Sequence, residues 1–194
     1  MSEEGRNAAW QGEKLRLRAV EVADWETFHS FDADTEAARH GWRVALPRSR
    51  GRTREWAREK SAQQPRPDED DNWFWAIEDG EGAVVGSMST HTCDRMNGVF
   101  EYGISIAREH WGKGYAEEAI LLVLRYFFGE LRYNKANAWV YDFNERSQRM
   151  HEKAGFQREG RVRGVHYTAG RHHDAFVYGM TAAEFFARQR EPQC

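Results

Sequence analysis

Two glycines that flank a lysine, Gly112-Lys113-Gly114, stand between an apolar strand predicted to end at Ala107 and an apolar helix predicted to begin near Gly114. The first backbone N–H groups of a helix have no acceptor inside the helix and carry a partial positive charge, so they bind anions. Glycine lets the main chain approach a diphosphate closely because it has no Cβ. The types and spacing of these residues therefore predict a phosphate-binding loop.

The same pattern also has a purely structural interpretation, because a Gly-x-Gly pair can form a tight turn at the start of a core helix. The pair fits neither the Walker loop, which needs Gly-Lys-Ser/Thr, nor the Rossmann fingerprint, which needs a further glycine. Tyr115 and Ala116 follow the glycines instead. The choice between the two interpretations depends on the second half of the chain.

A second motif begins at Asn144. Asn144 is a favourable N-cap and Gly155 is a favourable residue just after a helix, so the sequence predicts a short helix between them. Ser147 would lie in the first turn of this helix. Lys153-Ala-Gly-Phe156 would end it.

Together, the two motifs resemble those of the GCN5-related N-acetyltransferases (GNAT), and most closely those of the branch named for RimJ and RimL. The pyrophosphate loop of that family, Gln/Arg-x-x-Gly-x-Gly/Ala, appears here as Glu109-His-Trp-Gly-Lys-Gly114. The Asn-x-x-Ser and Lys-x-Gly-Phe elements of the family appear as Asn144 to Ser147 and Lys153 to Phe156. The resemblance covers roughly residues 15–180.

This resemblance implies that the cosubstrate is acetyl-CoA, with its diphosphate on the glycine loop and its pantetheine arm along the preceding strand. Glu109 stands where the family usually has Gln or Arg. Because an acidic side chain beside a diphosphate is unfavourable, we expect Glu109 to point outward. The residues implied to bind the coenzyme are Ile104, Ser105, Ile106, Trp111, Gly112, Lys113, Gly114, Tyr115, Ala116, Asn144 and Ser147.

Glu101 and Ser147 are the predicted catalytic residues. Ser147 matches the position that hydrogen-bonds the coenzyme sulfur in the resembled family, and a serine that only satisfies the helix end is the alternative. Glu101 matches a position that often holds a glutamate in the family. Because a free carboxylate is a weak base toward an ammonium group, Glu101 would act through a water molecule or by attracting the amine. An ion pair with an arginine is its structural alternative.

The predicted acceptor-binding residues are Trp42, Arg48, Trp75, Glu101 and His166. Arg48 opens a run of alternating arginines that ends at Arg54. This run is either a solvated basic segment or part of a cleft wall that binds phosphate or carboxylate. Trp42 and Trp75 offer flat aromatic surfaces, although aromatic residues in strands belong to the core more often.

Length and composition favour one globular domain over residues 14–190, between a loosely ordered segment 1–13 and a tail 191–194. A net charge of −3 predicts no general attraction to nucleic acid or to an anionic membrane. No apolar run approaches the roughly 20 residues that span a bilayer, and no apolar signal core begins the chain, so a cytoplasmic protein is expected.

The sequence predicts no metal site. Cys93 and Cys194 are too few and too scattered for a zinc site or a disulfide framework. His172 and His173 lie in a predicted polar turn beside Asp174, and no further ligand completes the set.

The order of predicted elements indicates an α+β fold with a mostly antiparallel central sheet flanked by helices. Helices are predicted around 25–31 and at about 53–64, 114–129, 145–154 and 181–189, and an irregular stretch is predicted at 35–53. Strands are predicted at 15–19, 73–78, 83–92, 136–141, 161–166 and 175–180, together with one that ends at 107. The last two would pair across a turn at 168–173.

The function indicated first is an acetyl-CoA-dependent N-acetyltransferase acting on a primary amine. A protein N-terminal amine and a small amine-bearing metabolite or antibiotic remain nearly equal candidates for the acceptor, and a homodimer is left open. One alternative is a non-catalytic acyl-CoA-binding module that senses or recruits. Glu101 and Ser147 count against it, whereas Glu109 counts for it. Another alternative is a structural interaction domain, which the pairing of the two motifs disfavours.

Overall fold

The computed structural model describes residues 8–41, 43–64 and 70–190. Its strands are β1 (Leu15–Arg18), β2 (Phe74–Asp79), β3 (Val84–Asp94), β4 (Val99–Ile106), β5 (Lys135–Tyr141), β6 (Gln157–Thr168) and β7 (Arg171–Thr181). Its helices are α1 (Trp25–Asp32), α2 (Thr35–Gly41), α3 (Arg50–Ser61), α4 (Tyr115–Gly129), α5 (Glu145–Ala154) and α6 (Ala182–Arg190). None of the helices within these ranges is long and apolar enough to cross a membrane.

The seven strands form one sheet in the order β1-β2-β3-β4-β5-β7-β6. The pairs β1–β2, β2–β3, β5–β7 and β6–β7 are antiparallel. The pair β4–β5 is parallel, and its ladder runs from Val99↔Lys135 to Glu101↔Asn137. This architecture confirms the predicted α+β fold with a mostly antiparallel sheet.

The described chain divides into two compact units, and the first contains the described residues up to Thr90 together with Gly103–Leu122. Strand β1 of this unit has an alternating pattern in which Leu15 and Leu17 are buried. One cluster in the core of the unit is largely aromatic. It contains the buried residues Val20, Phe28, Ala57 and Ala76, with Trp25, Phe31, Trp56, Phe74 and Val84 packed against them.

The second unit contains His91–Tyr102 and the described residues from Val123 onward. Phe100 of β4 stacks on Phe127 of α4 with ring centroids 4.3 Å apart, and both rings contact Tyr133. Gly155 ends α5 at the position predicted for it and has the left-handed conformation, with φ = 97°. The division into a segment 1–13, one domain 14–190 and a tail stays a prediction, and residues 1–7 and 191–194 lie outside the described residues.

Two local predictions were wrong. The stretch predicted to be irregular contains α2, because Asp34 Oδ1 accepts hydrogen bonds from the backbone N–H groups of Glu36 and Ala37 and so stabilises the start of that helix. The turn predicted at 168–173 is much shorter, since β6 runs to Thr168 and β7 begins at Arg171. His172 and His173 therefore belong to β7, and His173 is buried.

Candidate active site

The glycine loop has the backbone conformation that an anion-binding helix start needs. Gly112 and Gly114 have φ values of 80° and 86°, which glycine adopts without strain. The first α-helical bond of α4 runs from the N–H of Glu118 to the carbonyl of Gly114, at 3.2 Å. The amides of Tyr115 and Ala116 are thus left without an acceptor inside the helix. These N–H donors and the positive end of the helix dipole both favour the binding of an anionic group at the loop.

Side chains from outside the loop fix its position and add positive charge. The indole Nε1 of Trp111 donates to the carbonyl of Ile106 at 2.7 Å, which ties the loop to the end of β4. Lys14 Nζ donates to the carbonyl of Lys113 at 3.3 Å. The backbone N–H of Lys14 donates to Glu118 Oε1 at 3.0 Å, and the carboxylate of Glu118 is therefore already hydrogen-bonded. Two ammonium groups, Lys14 and Lys113, therefore lie at the loop.

Sequence reasoning missed Lys14. It is separated from Lys113 by 99 positions, and only the folded sheet brings the two residues together. No local sequence signal could have found it.

Glu109 is exposed, as the sequence led us to expect. It lies in a short 3₁₀ turn, Arg108–His110, between β4 and the loop. Its neighbour Arg108 is bound by two carboxylates, and its guanidinium lies 5.7 Å from the ring centre of Trp111. Its guanidinium donates to Asp34 at 2.6 and 2.8 Å and to Glu36 at 2.7 Å. The hydrogen bonds from Arg108 lower the pKa of the Asp34 carboxyl well below its usual range.

A cavity of about 510 Å³ opens within the first unit. Four aromatic rings form part of its lining, namely Phe28, Phe31, Trp56 and Phe74. Arg48, Ser105 and Ile106 also line it. The structure therefore brings a predicted acceptor-binding residue, Arg48, to the same cavity as two residues predicted to bind the pantetheine arm.

The arginine-rich segment is largely neutralised within the first unit. Arg48 pairs with Asp32 at 2.5 Å, Arg50 with Glu26 at 3.7 Å and Arg52 with Glu59 at 3.1 Å. Ser49 caps α3 by accepting a hydrogen bond from the N–H of Arg52, so the helix begins earlier than predicted. Of the two interpretations left open by the sequence, this pairing favours a solvated segment for the arginines that follow Arg48.

Of the two predicted acceptor-binding tryptophans, Trp75 lies among the described residues. Trp75 is 6% exposed and its ring lies 5.4 Å from that of Trp10, which favours the core role that the sequence also allowed. Trp42 lies outside the described residues.

In the second unit, the start of α5 brings Asn144 and Ser147 together. The side-chain Oδ1 of Asn144 accepts a hydrogen bond from the backbone N–H of Ser147 at 3.2 Å, which confirms the predicted N-cap. The carboxylate of Glu101, on β4, accepts a hydrogen bond from the indole Nε1 of Trp139 at 3.2 Å. The partner of Glu101 is thus an indole and not the arginine of the structural alternative.

His151 is a further residue that sequence reasoning missed. It is 2% exposed and its ring stacks on those of Tyr102 and Tyr178. Its Nδ1 lies 2.8 Å from the carbonyl oxygen of Ser147 and 3.3 Å from the hydroxyl of Ser147. Because a carbonyl can only accept, Nδ1 carries the proton. The Ser147 hydroxyl can then only accept from His151, which leaves its own proton for another partner.

The environment of His151 is apolar enough to keep the ring neutral. Burial lowers the pKa of His151 to about 4. Its Nε2 and the Tyr102 hydroxyl are buried and have no hydrogen-bond partner among the described residues. The spacing of four residues between Ser147 and His151 places them on one face of a helix, and this signal could have revealed the pair.

His166 lies on β6, and its ring stacks on that of Tyr141 with centroids 3.9 Å apart. Burial, and then the neighbouring His173, lowers the pKa of His166. His173 Nδ1 lies 2.9 Å from Asp142 Oδ1. Across the described residues, no group of three His, Cys, Asp or Glu side chains is placed to hold a metal ion.

Comparison with known proteins gives a consistent result. A family model described as the acetyltransferase (GNAT) domain matches residues 14–157. The SPbeta prophage-derived uncharacterized N-acetyltransferase YokL of Bacillus subtilis (strain 168) is 42% identical over 176 residues, which are 91% of this chain and 94% of YokL. YdaF of the same strain, named as a candidate ribosomal N-acetyltransferase, is 34% identical over 105 residues, or 54% of this chain and 57% of YdaF.

The fold is also similar to that of a solved N-acetyltransferase. A crystal structure of spermidine N-acetyltransferase from Vibrio cholerae in complex with CoA and spermine is similar with a TM-score of 0.76 and 22% identity. The match covers 90% of this chain and 99% of that one. The family model spans most of the sequence, and the match with YokL covers nearly the whole length of both chains. The chain therefore belongs to the GNAT family and is an N-acetyltransferase.

Proposed function

We propose that this chain transfers the acetyl group of acetyl-CoA to a primary amine, with residues 111–116 holding the diphosphate of the coenzyme. The observation that carries the proposal is the loop before α4, where two glycines have positive φ values and Lys14 and Lys113 lie close by. Such a loop offers backbone donors, a helix dipole and positive charge to one anionic group.

We place the pantetheine arm along β4 at Ile104, Ser105 and Ile106. The parallel ladder between β4 and β5 ends at Glu101, so these residues lie beyond it. On the side of β4 opposite β3, backbone groups beyond this ladder can hydrogen-bond an extended ligand in the way that they would bond an added strand. Ser105 and Ile106 also line the aromatic cavity, which supports that cavity as the acceptor site.

The chemistry needs few protein groups. Acetyl-CoA supplies the acetyl group as a thioester, from which sulfur leaves readily as a thiolate. The amine nitrogen forms a bond to the acyl carbon while the carbon–sulfur bond breaks, and the proton lost by the amine balances the one gained by the thiolate. We assign Ser147 to the sulfur, because the proton of its hydroxyl is not used by His151.

We assign Glu101 to the amine. One of its carboxylate oxygens accepts a hydrogen bond from Trp139, which orients the side chain. The other oxygen would attract the ammonium form of the acceptor or receive its proton through a water molecule. Asn144 would hold the start of α5, and with it Ser147, in place.

The acceptor belongs to one of the two classes indicated by the sequence. YdaF is named for ribosomal acetylation, which supports a protein N-terminal amine and a RimJ/RimL-like branch. The Vibrio cholerae protein is named for spermidine, which supports a small amine. A cytoplasmic location, a homodimer and the lack of nucleic-acid and membrane partners stay predictions.

Release of free thiol from acetyl-CoA, measured with a panel of peptides, monoamines and polyamines, tests the proposal. We expect release that depends on the amine. Binding of acetyl-CoA without such release would instead indicate a non-catalytic acyl-CoA-binding module. A protein that did neither would have a glycine loop that serves only as a turn.

A further inference from the structure

The cavity of the first unit has an apolar floor, and two carboxylates of its lining already form ion pairs with arginines. Phe31, Trp56 and Phe74 are half-buried and pack on the buried ring of Phe28. Half-buried rings in a cavity of about 510 Å³ favour an apolar group of a ligand, because contact removes apolar surface from water.

Two of the acidic residues that line the cavity are paired with arginines. Asp32 is bound by Arg48 at 2.5 Å, and Asp34 is bound by two nitrogens of Arg108 at 2.6 and 2.8 Å. A paired fork of this kind is among the stronger hydrogen-bonded arrangements in proteins. The positive charge of each guanidinium already offsets the negative charge of its carboxylate, so a second ammonium group on an acceptor would be attracted less strongly to either one.

Other groups among the described residues of the lining also offer a cation little attraction. Arg48 Cζ lies 6.0 Å from the ring centre of Trp56, and Lys60 Nζ lies 5.5 Å from that of Phe74. Two aromatic faces thus already carry positive groups. Glu109, the third acidic residue among the described residues of the lining, is exposed, and exposed ion pairs contribute little. Arg43 adds a further positive charge to the lining.

We infer that this cavity selects acceptor amines that carry an apolar group and no second positive charge, and that it discriminates against diamines and polyamines. The inference rests on the proposed function, since it takes the cavity as the acceptor site. The aromatic rings would hold the apolar group, and arginines already neutralise two of the three acidic side chains among the described lining residues.

Two amines of equal length test this inference. Hexylamine and 1,5-diaminopentane have the same number of heavy atoms and differ only in a terminal methyl group against a terminal ammonium. We expect kcat/KM to be at least tenfold higher for hexylamine, and calorimetry in the presence of CoA to give tighter binding of hexylamine. Equal or better use and binding of the diamine would overturn the inference.

A charge variant tests the cause. Arg48→Gln removes the partner of Asp32, so we expect the kcat/KM ratio of hexylamine to diamine to fall several-fold. Arg58→Gln is the matched control, because it removes the exposed pair Arg58–Glu55 from α3, the helix that follows Arg48, without touching the cavity lining. A ratio that stays unchanged in Arg48→Gln would contradict the role given to paired carboxylates.

The binding measurement separates this inference from the proposed function. Preferential binding of hexylamine without acetyl transfer to any amine would contradict the proposed function and leave the selectivity of the cavity in place. Acetyl transfer with a preference for the diamine would support the proposed function and overturn the inferred selectivity of the cavity.

Discussion

The hydroxyl of Ser147 keeps its proton available, because the imidazole beside it presents an N–H group. We expect Ser147→Ala to lower kcat by roughly 10²-fold, the lower end of the range for general acid catalysis, since a thiolate leaves readily. The substitution keeps the helix cap, because Asn144 bonds the backbone N–H of residue 147. Ser61→Ala, at the end of α3, is the control. Full turnover in Ser147→Ala would reduce this side chain to a structural role.

Glu101 is expected to matter most when the acceptor is protonated. An α-amine has a pKa of about 8, so the fraction of acceptor molecules in the ammonium form, which must lose a proton before they react, falls as the pH rises. We therefore expect Glu101→Gln to lower kcat/KM most at low pH, with partial recovery toward about pH 9. The pH–rate profile is the measurement, with Glu130→Gln as an exposed control. A variant with the parent profile and turnover would show that Glu101 is structural.

Residues whose role is local could be predicted from the sequence, whereas residues placed by distant contacts could not. Asn144 caps α5 as predicted because its partner is three residues away. Lys14 reaches the glycine loop only through the sheet. The aromatic floor of the cavity joins rings from α1, α3 and β2, which no single sequence pattern links.

At the scale of elements, the loop before α4 depends on a backbone conformation that only glycine adopts readily. Gly112→Val should weaken acetyl-CoA binding sharply, because valine resists a φ of 80° and would misplace the backbone donors. Calorimetry on the folded variant measures the effect. Gly80→Val is the matched control, since Gly80 lies in a turn, has open space around it and does not have a positive φ. Unchanged affinity in a folded Gly112→Val would disprove the role of the loop.

Elements with strong local signals were predicted nearly to the residue. Helix α4 follows its glycines and α5 is bounded by Asn144 and Gly155, because capping is a local interaction. Helix α2 was missed because its polar sequence has no apolar stripe. Asp34 stabilises its start and is itself held by Arg108 from far along the chain. The hairpin of β6 and β7 was placed correctly but made too short.

At the scale of the whole molecule, the free energy of unfolding should depend on pH through His151. Burial lowers its folded-state pKa from 6.5 to about 4, so the unfolded chain takes up a proton first as the pH falls. Stability from this group is present above pH 6.5 and is lost toward pH 4, by about 3 kcal/mol.

The variant His151→Phe keeps an aromatic ring between Tyr102 and Tyr178 but cannot titrate. We expect its unfolding free energy, from urea denaturation at pH 7 and pH 4.5, to fall less between the two pH values than that of the parent. The comparison removes the contribution of other titrating groups. Equal losses in both proteins would mean that His151 is not the group responsible.

Mass spectrometry of the acceptor, combined with thiol measurement, tests the central claim most directly. The protein would be incubated with acetyl-CoA and hexylamine, and the acetylated amine and the released CoA would be quantified together. We predict one acetyl group added to nitrogen for each thiol released, and a rate that falls sharply in Gly112→Val at the same acetyl-CoA concentration. Thiol release without acetylated amine, or unaltered transfer by the loop variant, would contradict acetyl transfer from a coenzyme held by the glycine loop.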